Sequence, residues 1–307
     1  MKRVGCATAV AALLVGAAAL TVYQRQDYRP RFARAAGELV AVRDSTGVAV
    51  LPNGDLVTEV TLVSDTGLRV RARVRSPGLY DGVRRPAIIV LAGYKLGPEA
   101  VQVPDTTGGV VLASVDYPFD LRQRPSGIAW AWKAFGIRHA MVQTPPAILL
   151  LAQYLYVRGD VDPDRVTVLG ASLGAPFAVA AAATDRRLAG VVLFDGGGDI
   201  ARMMEEVLDD GVQAWARRPL AALVALLLAP LEPTRYAGDL APRPLIMFNA
   251  TGDEAIPRES ALALYEAARR PKRIVWRTSR HITLSERDAI HGLMDETLVW
   301  MRERGLR

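Results

Sequence analysis

Residues 165–174 read Arg-Val-Thr-Val-Leu-Gly-Ala-Ser-Leu-Gly, and they decide how the rest of the chain is understood. Val166–Leu169 is a short apolar run of the kind buried on both faces of a sheet. It is followed by Gly170-x-Ser172-x-Gly174, and then by a stretch dominated by small residues (Ala175, Ala178, Ala180–Ala183). A strand that turns through one serine straight into a helix lifts the hydroxyl above the sheet on a strained turn. The positions two before and two after the serine crowd together, and glycine fits both. The helix beginning at Leu173 directs its positive N-terminal end toward the place where negative charge would develop.

Working outward, the same texture repeats. Ala87–Leu91, Val110–Val115, Val191–Phe194, Leu245–Phe248 and Ile274–Trp276 are further apolar runs bounded by turn residues. Helical stretches lie between or after them: Pro145–Tyr156, Leu173–Ala183, Arg258–Arg269 and Glu286–Glu303. Strands alternating with helices predict an α/β domain with right-handed crossovers. Ahead of this region, Leu56–Val63 and Leu68–Arg75 flank the turn Asp65-Thr66-Gly67. The second alternates strictly, with Leu68, Val70, Ala72 and Val74 on one face and arginines on the other, and so predicts a hairpin. About fifty residues separate Phe194 from Leu245, including the apolar run Ala221–Leu231. That is too long for one crossover and predicts a helical insertion at about 196–242, serving as a lid or as ordinary core packing.

A serine hydroxyl needs a base, and the chain has three histidines. His281 follows the last strand on a loop. His291 falls inside the final helical pattern, and His139 precedes the elbow in chain order. Position and order favour His281. The acid that orients it is expected in Thr251-Gly-Asp-Glu-Ala-Ile-Pro257, with Asp253 first and the adjacent Glu254 second. Asp195, one strand earlier, is the other candidate. The oxyanion site needs two N–H donors. Leu173 supplies one, and Tyr94 in the loop Ala92-Gly93-Tyr94-Lys95-Leu96-Gly97 is the candidate for the second. Asn249-Ala-Thr251 matches a glycosylation sequon but sits at a strand end against the site, which argues against its use.

These residues resemble the α/β-hydrolase family across most of 56–305. Asp162-Pro163-Asp164-Arg165 ahead of the elbow is similar to the branch that includes dienelactone hydrolases and prolyl-oligopeptidase-type catalytic domains. The resemblance implies a mostly parallel eight-stranded sheet flanked by helices and a Ser172–Asp253–His281 triad. Phe119, Trp130, Trp132 and Phe135 in residues 118–136, with Trp215 and the run Ala221–Leu231 of the insertion, predict an acyl pocket that favours apolar acyl groups. Together with the triad residues this implies a serine hydrolase working through an acyl-enzyme, most simply a carboxylesterase. An acyltransferase or an amidase/peptidase would use the same residues, and a non-catalytic scaffold would keep the fold without the chemistry. Two departures stand out. Ala92-Gly93 replaces the His-Gly pair common in esterases, and the chain has no room for the propeller of the large prolyl peptidases.

Composition narrows the alternatives. The chain has 307 residues, half of them apolar, with a net charge of +6. Residues 1–34 carry six basic residues and one acid, while the remaining 273 are nearly balanced at 32 basic and 31 acidic. The basicity therefore belongs to the N-terminus and does not describe a nucleic-acid groove. Lys2 and Arg3 precede the uncharged run Val4–Tyr23, which as a helix would span about 30 Å. This predicts a signal peptide or membrane anchor over residues 1–34, including a basic linker, with the hydrolase domain over 35–307 and a membrane-anchored or exported protein. One cysteine excludes a thiolate metal cage. No phosphate-binding loop, dinucleotide fingerprint or zinc spacing is present, so neither cofactor nor metal is expected.

Overall fold

The computed structural model describes residues 22–23, 26–78, 81–93, 96–118, 129–209 and 211–307, apart from the side chains at 44–48 and 129–135. Its centre is a nine-stranded sheet in the order β1-β2-β3-β5-β4-β6-β7-β8-β9. The strands are β1 (Leu39–Val50), β2 (Leu56–Ser64), β3 (Arg69–Ser76), β4 (Arg85–Leu91), β5 (Val111–Val115), β6 (Val161–Ala171), β7 (Gly190–Phe194), β8 (Leu245–Ala250) and β9 (Lys272–Arg277). Strands β1, β2, β3 and β5 pair antiparallel in succession, and every pairing from β5 through β4 to β9 is parallel. The count exceeds the implied eight, with Leu39–Val50 as the edge strand beside β2.

The apolar runs are the parallel strands for the reason their composition suggests. All five residues of β5 and of β7 are buried, as are all six of β8, so these strands are covered on both faces. The helices are α1 (Arg29–Ala36), α2 (Ala129–Val157), α3 (Gly174–Thr184), α4 (Ile200–Val207), α5 (Ala214–Leu227), α6 (Thr234–Ala237), α7 (Arg258–Ala267) and α8 (Arg287–Glu303). One core cluster joins one face of the sheet to α1, α2, α3 and α6. The other joins the opposite face to α8 and the 3₁₀ turn Pro98–Gln102, with Phe194 and Phe248 edge to face at 5.7 Å.

Two boundaries differ from expectation. Helix α2 runs through Pro145 and Pro146, which the sequence pattern takes as a helix start. It contains a segment, Gly136–Val157, long and apolar enough to cross a membrane, yet largely buried in the fold. At the N-terminus, the expected basic linker contributes to the core. Tyr28, Phe32 and Ala36 are 3%, 1% and 1% exposed, and Arg29 pairs with Asp239 at 2.7 Å. One face of α1 thus packs on the core over successive turns while Arg31 and Arg34 face outward, so the positive charge and the packing share one helix. Residues 1–21, with most of the expected apolar anchor, lie outside the described residues.

The insertion at 196–242 is helical, comprising α4, α5 and α6. Glu232 ties it together by accepting the backbone N–H groups of Asp199 and Ile200 at 3.0 and 2.8 Å. Helix α5 buries only Ala221 fully, and Trp215 and Leu223 remain exposed.

Candidate active site

Strand β4 lies between β5 and β6, so the chain reverses direction across the sheet there, and ligands in such folds bind beyond the C-terminal strand ends at that point. Ser172 sits there, one residue past β6. Its φ is +52°, a left-handed value that costs a non-glycine residue about 1–3 kcal/mol and persists only when its surroundings enforce it. The enforcement is visible: Ser172 N–H bonds to the Phe194 carbonyl at 2.8 Å, and the Ser172 carbonyl accepts from Ala175 N–H at 2.9 Å. The flanking glycines are needed for close approach. A Cβ on Gly170 would lie 2.6 Å from the Gly174 carbonyl oxygen, and one on Gly174 would lie 2.1 Å from the Leu91 carbonyl oxygen.

The loop after β9 brings His281 over this turn. Its Nε2 is 3.0 Å from Ser172 Oγ, and its Nδ1 is 2.9 and 2.8 Å from the two carboxylate oxygens of Asp253. Asp253 is fixed in turn, because its Oδ1 accepts backbone N–H bonds from Ala255 at 2.8 Å and Ile256 at 2.7 Å. Three side chains from three separate loops therefore form one hydrogen-bonded row. Burial pulls the His281 pKa down, but the hydrogen bond and charge of Asp253, with the charges of Asp195 and Glu254, outweigh it. His281 consequently titrates above the ordinary histidine value of 6.5.

The remaining candidates fall elsewhere. His291 lies on α8, 3.2 Å from Asp105 and within 3.4 Å of the Val103 carbonyl. His139 is exposed on α2. Glu254 points outward to Arg280 at 2.8 Å. Asn249 is 1% exposed and donates to the Gly196 carbonyl at 2.9 Å, which closes the sequon to modification. Leu173 is at the start of α3, and its N–H is positioned beside Ser172 by the elbow itself. Tyr94 lies outside the described residues.

Two contributors were not singled out for these roles from the sequence. Tyr117 donates its hydroxyl to the Ala92 carbonyl at 2.6 Å and so holds the loop that follows β4. Asp195, weighed above only as an alternative acid, is 2% exposed with φ +45°. Its Oδ1 accepts from Ala250 N–H at 2.9 Å and its Oδ2 from Ile282 N–H at 2.8 Å. It lies 4.0 Å from His281 Nδ1. Burial pushes its carboxyl up, opposed by those two N–H groups and reinforced by the nearby Asp253 charge, with a net upward result.

Asp195, Asp253 and His281 are near enough to one another to share a cation. Four backbone N–H groups already donate to the two carboxylates, and the imidazole is taken by Asp253, so the donor set is organised for hydrogen bonding.

The architecture matches known structures closely. An acetyl xylan esterase from Paenibacillus sp. R4 superposes with a TM-score of 0.66 at 16% identity, over 90% of this chain and 98% of that one. The fold is that of the α/β-hydrolases. Acetyl xylan esterase 1 from Thermoanaerobacterium sp. JW/SL YS485 gives 0.61 at 17% identity, over 86% and 91% of the two chains. A cold-adapted esterase from an Arctic intertidal metagenomic library gives 0.57 at 14%, over 83% and 99%. No protein-family model and no curated protein sequence matches the chain. At these identities the likeness concerns the α/β-hydrolase fold, and the chemistry has to be argued from the site.

An apolar cavity of about 530 Å³ opens beside Ser172 and His281. Among its described lining residues none comes from 196–242, the insertion expected to contribute a wall. Phe119 lies outside the described residues, and the side chains of Trp130, Trp132 and Phe135 are likewise not described.

Proposed function

We propose that the protein is a serine hydrolase of carboxylic esters, working through an acyl-enzyme on Ser172. The observation that carries this reading is the hydrogen-bonded row from Ser172 Oγ through His281 to Asp253 at a strained strand-to-helix turn. The solved esterase structures of the same fold support the reaction class.

In this reading Ser172 Oγ attacks the ester carbonyl while its proton passes to His281 Nε2. Asp253, on Nδ1, selects the tautomer that leaves Nε2 free to accept and stabilises the imidazolium. The carbonyl electrons move onto oxygen, which the N–H of Leu173 and the N–H of Tyr94 hold. Collapse of the intermediate breaks the bond to the alcohol, which leaves with the proton from Nε2. Water then attacks the acyl-enzyme by the same route and frees the acid. The apolar lining of the site favours apolar esters over charged ones.

The N-terminal run Val4–Tyr23, with Lys2 and Arg3 before it, supports a membrane-anchored or exported location for the enzyme. The exposed Trp215 and Leu223 on α5 would suit contact with such a surface.

A fluorophosphonate probe tests the reading. Labelling is expected on the wild-type protein and lost in Ser172→Ala. Folded wild-type protein that takes no label would instead identify a binding scaffold.

A further inference from the structure

The cavity beside the site has a wall composition and a position that together bear on the substrate. Of its eighteen described lining residues, thirteen carry apolar side chains, and none is a carboxylate, lysine or arginine. One wall is the segment that follows the histidine, with Ile282 and Leu284. Another part of the lining is the 3₁₀ segment and its exit, with Ala100 and Val103, and Ile290 and Met294 of α8 contribute as well.

The 3₁₀ wall is held in place. Arg75 is 1% exposed, yet its guanidinium donates to the carbonyls of Val101 at 3.1 Å, Pro104 at 2.6 Å and Asp105 at 2.8 Å, and to Asp55 at 2.8 Å. A buried, fully bonded arginine fastens residues 101–105 to strand β3. The cavity is therefore a built feature of the fold, of a size that elsewhere accommodates a small organic ligand.

Its position relative to the imidazole assigns the half of the ester it receives. When the intermediate collapses, His281 Nε2 must protonate the leaving oxygen, so the alcohol lies on the imidazole side of Ser172. His281 and the four residues after it line this cavity, which also reaches Ala92, Gly93 and Leu96 of the loop after β4. We infer that the cavity binds the alcohol half of the ester, and that this alcohol is an apolar one of medium size, such as a hexyl or benzyl group, and not a polyol. The inference rests on the hydrolase reading above. A sugar placed here would strip water from several hydroxyls with few partners to replace it.

The test compares two series on the full-length protein: acetate esters of straight-chain alcohols from ethyl to octyl, and ethyl esters of acids from acetic to octanoic. Each methylene buried on the alcohol side is expected to raise kcat/KM by about fourfold until the cavity is full. The variants Ile290→Trp and Val103→Trp, which intrude from different walls, are expected to lower the hexyl-to-ethyl ratio of the acetate series at least tenfold. Their melting temperatures report whether each still folds, and two sites keep the test open if one does not. A gain confined to the acid series, or no gain with alcohol length, overturns the inference. So does an unchanged hexyl-to-ethyl ratio in a folded Trp variant. Loss of fluorophosphonate labelling together with all esterase activity would count against the hydrolase reading itself, whereas labelling with a flat alcohol series would overturn this inference alone.

Discussion

The carboxylate of Asp195 accepts the backbone N–H of Ile282 at 2.8 Å, so a buried acid at the end of β7 pins the residue that follows the catalytic-base candidate His281. Its other oxygen takes the N–H of Ala250. Both oxygens are acceptors, and an amide would present an NH₂ to one of two N–H groups. Asp195→Asn should therefore fold but displace the His281 loop, lowering kcat by about 10²-fold, the scale of a 1 Å misplacement. The nearby charge is also lost, so the midpoint of the acid limb in the pH–rate profile should fall, which a purely mechanical change would not produce. A variant with wild-type kcat and profile would remove Asp195 from the account.

Asp253→Asn should cost more, on the order of 10³–10⁴ in kcat, because the amide favours the wrong imidazole tautomer. Steady-state kinetics on both variants rank the two acids. If Asp195→Asn proved the worse of the two, the orienting acid would belong to β7.

The pH dependence follows from the raised His281 pKa. The base must be neutral to accept the serine proton, so kcat/KM should climb with pH through a midpoint above 6.5. The protonated imidazolium is favoured in the folded state, so its contribution to stability is full below about 6.5 and is lost as pH rises through the raised folded value. Denaturant midpoints measured from pH 5 to 9 should decline across that window in wild type but less in His281→Gln.

The elbow's packing predicts a separation of stability from chemistry. Ser172→Ala keeps the side chain small and should leave the melting temperature nearly unchanged while abolishing turnover. Gly174→Ala would drive a Cβ against the Leu91 carbonyl and should cost about 1–3 kcal/mol or more. Thermal unfolding of the two variants side by side checks the contrast.

Helix α1 should prove part of the domain. Phe32→Ala empties a fully buried aromatic site and should destabilise the fold by about 3–5 kcal/mol. A chain starting at residue 26 should fold, and one starting at residue 38 should not, as circular dichroism melts would reveal.

The strand-to-helix turn and the parallel strands were legible in the sequence because each rests on local chemistry, and chain order sufficed to name the serine, acid and histidine that the fold brings into hydrogen-bonding contact. Gly170 and Gly174 are dictated by close backbone approach, and continuous apolar runs such as Val191–Phe194 follow from burial on both faces. Tertiary structure decided what depends on distant parts of the chain meeting. The arginine stripe of β3 reads as a solvated face, and only folding shows Arg75 buried, because its partners are carbonyls at 101, 104 and 105 and the carboxylate of Asp55. A basic linker and a core helix share the composition of residues 29–36, and the contact with the sheet's covering helices distinguishes them. Asp195 and Asp253 are both acids just past a strand, and the sequence orders them only by position. Their different partners are set by where the His281 loop lands, which brings Asp253 within hydrogen-bonding reach of Nδ1 and leaves Asp195 to the neighbouring backbone.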